Sequence, residues 1–253
     1  VTIDTIHEAI AAMDRRLERD AETDDPRGYF TCVYRAVTAR VRDGIEAGDF
    51  DDPERMERFD VTFANLYLDA ADAHDRGRTC SAAWRTAFDA AGRPLLVIQH
   101  VLLGMNAHIN LDLGIAAART VPAGRIGELE NDFERINDVL VEMVDTMQDA
   151  LAQASPWTRT LDRLGGRVDE AVTAHGLRLA RARAWDFAQV LADAEDREAL
   201  VTERDARVAA YAASIVRPRA TTRALLAAAR RREHADVAGV AAALRRRGAD
   251  VPT

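Results

Sequence analysis

The chain has 253 residues, 48% of them apolar and 30% charged, with a net charge of −8. That is enough apolar material for a core, and it excludes a disordered chain, a collagen-like chain and a disulfide-rich mini-protein. Aromatics make up only 6% and Ala, Arg, Leu and Asp dominate, which favours helix over sheet. The expected fold is all-α: a multi-helix bundle around one buried central helix at about 94–118, with a C-terminal helical extension, in a single domain over 1–253.

In chain order, Ile3, Ile6, Ile10, Met13 and Leu17 recur at three- and four-residue steps and predict a first helix over 3–19. Thr23-Asp24-Asp25-Pro26 is a loop. A second helix carries Tyr29, Val33, Val37 and Val41 and stops near Gly44 or Gly48. Asp52 followed by Pro53 reads as a cap with proline at the first helical position. That helix runs to about His74 and closes at Gly77. A short helix at 80–90 is broken by Gly92-Arg93-Pro94, and the central helix follows. Ile126, Leu129, Phe133, Ile136, Leu140, Val144, Met147 and Leu151 give a near-heptad helix over 125–152. Ser155-Pro156 is the candidate sub-boundary between a core bundle and further helices at 157–173, 176–193, 196–215 and 219–246.

Every basic residue is arginine, which removes lysine Schiff-base and P-loop chemistry and points to a GC-rich bacterial genome. A GTG start codon read literally would account for Val1. The acidic balance argues against duplex nucleic acid as a partner. The residues from Arg217 onward carry nine arginines against three acids, and they are expected to form a solvated helix face. Cys32 and Cys80 sit in neither a CxxC nor a metal spacing, and no signal peptide is evident. Buried free thiols in a cytoplasmic protein are expected. No apolar run reaches the ~20 residues of a membrane span, so no membrane partner is predicted, and the oligomeric state stays open.

The helix from Pro94 to Ala118 is apolar nearly all round, yet carries Gln99, His100, Asn106, His108, Asn110 and Asp112. Burying those groups is costly unless each finds a partner. At 100° per residue His100, Gly104, His108 and Asp112 share one face, and Gln99, Asn106 and Asn110 another. His108 and Asp112 lie ~6 Å apart along the axis, close enough to share a ligand, whereas His100 and His108 are ~12 Å apart. Three readings stand: a structural His–Asp pair, a ligand or catalytic pocket, or a metal site. Asn137 and Asp138 sit on the 125–152 helix, and Asp60 and Asn65 on the non-core side of the 53–74 helix.

The strings Asp52-Pro53-x-Arg55-Met56-x-x-x-Asp60, Phe63-Ala-Asn65-x-Tyr67, Leu102-Leu-Gly-Met-Asn-Ala-His-Ile-Asn-Leu-Asp-Leu-Gly114 and Phe133-x-x-Ile136-Asn137-Asp138-Val139-Leu140 carry a resemblance. Over Tyr34 to Leu151 the chain resembles an uncharacterised, mainly actinobacterial family of all-helical proteins, a domain of unknown function. The resemblance implies a helical fold and no particular activity. The run from Asn137 to Asp145 also partly resembles the Mg²⁺ motif of class I terpene cyclases, but Val141 stands where a hydroxyl residue is usual.

The expected function is an enzyme acting on a small organic molecule in a pocket inside the bundle. His108, oriented by Asp112, would be the acid or base, with His100 as a second one. Asn106, Asn110, Asn137, Gln99, Asp60 and Asn65 would hold polar substrate groups. The alternative is a non-catalytic binding or scaffold protein with a structural polar network. A further alternative is a Mg²⁺- or Zn²⁺-dependent hydrolase or cyclase using His108, Asp112, Asn137 and Asp138, with Asp138 or Asp60 as the third metal ligand. No other cofactor is predicted.

Overall fold

The computed structural model describes residues 2–154, 174–231, 233 and 236–248, and among them all regular structure is helical. The helices are α1 (Ile6–Thr23), α2 (Gly28–Ala47), α3 (Pro53–Asp75), α4 (Ala82–Asp89), α5 (Val97–Thr120) and α6 (Glu130–Ala154). They continue as α7 (Ala174–Ala192), α8 (Arg197–Val216), α9 (Ala220–Arg230) and α10 (Val237–Gly248). The all-α bundle with a buried central helix is the architecture that composition and periodicity predict.

Local chemistry fixes the helix starts. Asp52 accepts from the Arg55 N–H at 2.9 Å and caps α3, with Pro53 in its first turn. Buried Asp132 on α6 accepts the Asp51 and Asp52 N–H groups and the Arg55 guanidinium, which ties the start of α3 to α6. The first helix begins at Ile6 rather than Ile3, because Thr5 caps it through the Glu8 N–H. Ile3 stays extended: Asn65 accepts its N–H at 3.0 Å and donates to its carbonyl at 2.9 Å.

Helix α5 packs against α2, α3, α4, α7 and α8. It is long and apolar enough to cross a membrane, but 83% of its most apolar window is buried by the rest of the bundle. Two glycines allow the close crossings. A Cβ on Gly104 would lie 2.2 Å from Phe30 Cγ on α2, and one on Gly114 would lie 2.8 Å from the Ala184 carbonyl of α7.

The periodicity over 219–246 predicts one helix, but the structure has two. Asp236 accepts from the Gly239 N–H at 2.6 Å and starts α10 afresh. Between the two helices Glu233 reaches back to the Val97 N–H at the start of α5. The break turns α10 onto α2 and α6. The helix expected at 157–173 and the sub-boundary at 155–156 lie outside the described residues, as does the packing of the Val144, Met147 and Leu151 side chains.

Candidate functional site

Helix α5 is not a uniform α-helix. His108–Asp112 forms a π turn, closed by the Leu113 N–H donating to the His108 carbonyl. A π turn inserts one extra residue and recurs at functional sites. Here it holds the His–Asp pair: His108 Nδ1 lies 3.2 Å from Asp112 Oδ2, and Trp84 Nε1 donates to the same oxygen at 2.8 Å. Phe63 stacks on the imidazole, Tyr34 meets it edge-on at 4.2 Å, and His108 Nε2 is buried without a partner.

Burial pushes the Asp112 carboxyl well up, against the pull of the Trp84 N–H, and pushes His108 well down. Both directions disfavour a net charge on the pair. The neutral pair shares one proton between Nδ1 and Oδ2, and in either arrangement Nε2 also carries a hydrogen. Loss of one proton leaves Nδ1–H donating to the carboxylate and a lone pair on Nε2. The pair can therefore act as an acid or a base at Nε2.

His108 lines a cleft of about 80 Å³, partly open to solvent. The walls are almost wholly apolar, with Phe30, Tyr34, Phe59 and Phe63 among them. Two more buried polar atoms belong to residues of this wall and lack partners, Asp60 Oδ2 and the Tyr34 hydroxyl. The Tyr34 hydroxyl lies near Thr38 Oγ1 without closing a hydrogen bond. Burial, helped by Glu57, pushes Asp60 up to about 7, so it is an acid that titrates near neutrality. The expectation that Asp60 lies on the non-core side of α3 is corrected: it is 5% exposed.

Arg181 also lines the cleft. Its guanidinium donates to Asn137 Oδ1 at 2.7 Å and to the Phe133 carbonyl, and lies over the Phe133 ring. Burial pulls it down to about 10. Sequence reasoning missed Arg181, Tyr34 and Trp84. For Arg181 a signal existed: it interrupts the apolar stripe Leu177, Ala184 and Ala188 on α7.

The other expected site residues do not converge on His108. His100 packs near Tyr29 and Arg230 in a separate apolar cluster; burial and Arg230 lower its pKa to about 4. It lies two turns away on the axis, too far to share the cleft. Gln99 accepts from the Leu96 N–H and donates to the Ile215 carbonyl, a structural tie to α8. Asn65 anchors Ile3. Asn106 donates to the Val208 carbonyl, and Asn110 donates to Asn106. Both face α8, away from the imidazole, and Asn137 holds Arg181 from the cleft's rim. Asp138 is exposed beside Arg178, so it does not complete a metal set with His108 and Asp112. Among the described residues no three His, Cys, Asp or Glu side chains form a metal-holding group.

These features define an all-helical bundle protein with a buried Trp–Asp–His array on a π turn, beside an apolar cleft. The chain belongs to a family of unknown function, DUF5995, whose model matches residues 6–218. No curated protein and no solved structure matches it.

Proposed function

We propose that the protein is an enzyme that performs acid–base chemistry on a small, mainly apolar organic molecule bound in the His108 cleft. One observation carries this reading. Three buried polar atoms without partners, His108 Nε2, Asp60 Oδ2 and the Tyr34 hydroxyl, belong to residues that line one apolar cleft. Such an atom costs about 1–3 kcal/mol when left unpaired, and the polar groups of a bound molecule would supply partners. His108 takes or gives the proton at Nε2, and Asp112, itself held by Trp84, fixes the imidazole tautomer. Asp60, with its pKa near 7, is the second proton carrier.

The scaffold alternative has its own support elsewhere in the molecule. Gln99, Asn106, Asn110 and Asn65 are engaged by main-chain and amide groups, as structural side chains are. The enzyme reading therefore keeps His108, Asp112 and Asp60, and releases His100, Gln99, Asn65, Asn106 and Asn110 from direct chemistry. It calls on no metal: among the described residues no third His, Cys, Asp or Glu side chain joins His108 and Asp112 in a metal-holding group. The proposed compartment is the reducing cytoplasm, in keeping with Cys32 and Cys80 forming no disulfide with each other.

The test is a screen of small apolar compounds with one hydrogen-bonding group, reading binding by thermal shift and conversion by mass spectrometry. Wild type should bind and convert members of one chemical class, and His108→Gln should bind them without conversion. Equal conversion by His108→Gln would refute the acid–base assignment.

A further inference from the structure

A second space lies on the other side of the π turn. A groove of about 450 Å³, open along one side, runs between α5, α7 and α8. Its polar wall contains Arg183, Arg204 and Arg207. Arg204 is held in place: its Nε donates to the Asn110 carbonyl inside the π turn at 2.6 Å, and its guanidinium carbon lies 5.0 Å from the Phe187 ring centre. Those contacts use Nε and one face of the guanidinium, and leave its terminal nitrogens for an acceptor. Arg207 pairs with Glu203, but among the described residues no carboxylate pairs with Arg183 or Arg204. Burial and the neighbouring Arg207 and Arg183 charges hold Arg204 below its ordinary pKa, a repulsion that an anion would relieve. In a chain of net charge −8, this is a local concentration of the opposite sign.

The facing wall is apolar, and three of its residues, Met105, Ile109 and Leu177, also line the His108 cleft. The two spaces adjoin across these side chains. We propose that the arginine groove binds the anionic head, carboxylate or phosphate, of an amphipathic small molecule whose apolar part lies across Met105, Ile109 and Leu177 in the His108 cleft. This rests on the reading of that cleft as a ligand site, and it names the ligand class. A planar guanidinium matches the two oxygens of a carboxylate or phosphate, and apolar walls match a hydrocarbon body.

The experiment is isothermal titration of the whole protein with dodecanoate, dodecyl phosphate and dodecan-1-ol, each below its micelle concentration. At least one anion should bind ~10-fold or more tightly than the alcohol, and added NaCl should weaken that binding. The stronger of the two anions identifies the head group. Replacing the exposed pair, Arg183→Gln with Arg207→Gln, should weaken the anion ~10-fold and leave the alcohol unchanged. Filling the cleft with Val37→Trp should weaken all three. Equal binding of alcohol and anions, or no effect of the arginine replacements, would overturn the groove while leaving the cleft reading standing. Anion binding untouched by Val37→Trp would separate the groove from the cleft and overturn the shared ligand. No binding of any probe would overturn the proposal as a whole. Circular dichroism checks that each variant is folded; if one is not, the wild-type comparison of alcohol with anion across the NaCl series still decides.

Discussion

Phe63 lies flat on His108, with ring centroids 3.5 Å apart and planes 6° from parallel. The stack covers one face of the imidazole while Asp112 holds Nδ1, so the ring has one orientation. Phe63→Leu keeps apolar volume but removes the flat partner. It should cost about 1 kcal/mol of stability and lower kcat more than it raises KM. Paired urea unfolding and steady-state kinetics on the substrate class found by screening would check this. An unchanged kcat would mean that the stack only packs.

His108→Gln should abolish conversion while costing less than ~3 kcal/mol of stability. Asp112 keeps its Trp84 donor in that variant, so no buried carboxyl is stranded. A larger loss in urea unfolding would make the array a structural network.

Gly104→Ala should be among the most damaging small changes. The new Cβ would meet the Phe30 side chain at 2.2–2.6 Å, and Phe30 is pinned between Tyr34, Tyr67 and Trp84. Overpacking of this kind costs about 3 kcal/mol. Adding Phe30→Leu to Gly104→Ala should restore part of the loss, and the thermal midpoints of the single and double variants decide.

Asp60 gives the stability a pH dependence. Its folded pKa, about 7, stands above the ordinary carboxyl value of 3.8, so the fold favours the protonated acid. The contribution is fully present below pH ~4 and is lost as the pH rises through about 7. Asp60→Asn mimics the neutral acid. It should flatten the fall in stability between pH 4 and 7 and raise stability at pH 8, by kcal/mol rather than tenths. Denaturation at a series of pH values reads this directly; identical slopes in wild type and variant would contradict it.

The fold was legible wherever local rules decide. Asp52-Pro53 names the start of α3 and the apolar run names α5, because caps and burial act through neighbours in sequence. The His108–Asp112 pair was legible for the same reason, being one turn apart. The rest of the array was not. Trp84 reaches Asp112 and Arg181 reaches the cleft from distant helices, and tertiary packing alone brings them there. His100 shares a helical face with His108 but stands ~12 Å along the axis, and it packs by Tyr29 rather than lining the cleft as a second acid or base. Asn106 and Asn110 were read as substrate contacts because a polar group in an apolar helix demands a partner; the partners are the Val208 carbonyl and the neighbouring amide.

The most direct measurement is the ¹⁵N shift of His108 Nε2 in histidine-labelled protein, followed as a small apolar alcohol such as cyclohexanol is added. His108 is the histidine that lines the cleft. Its Nε2 should shift saturably while His100 does not, and the shift should vanish in the cleft-filled Val37→Trp variant. A His108 resonance that ignores the probe, or that responds equally in the filled variant, would contradict the assignment of this cleft as the site of function.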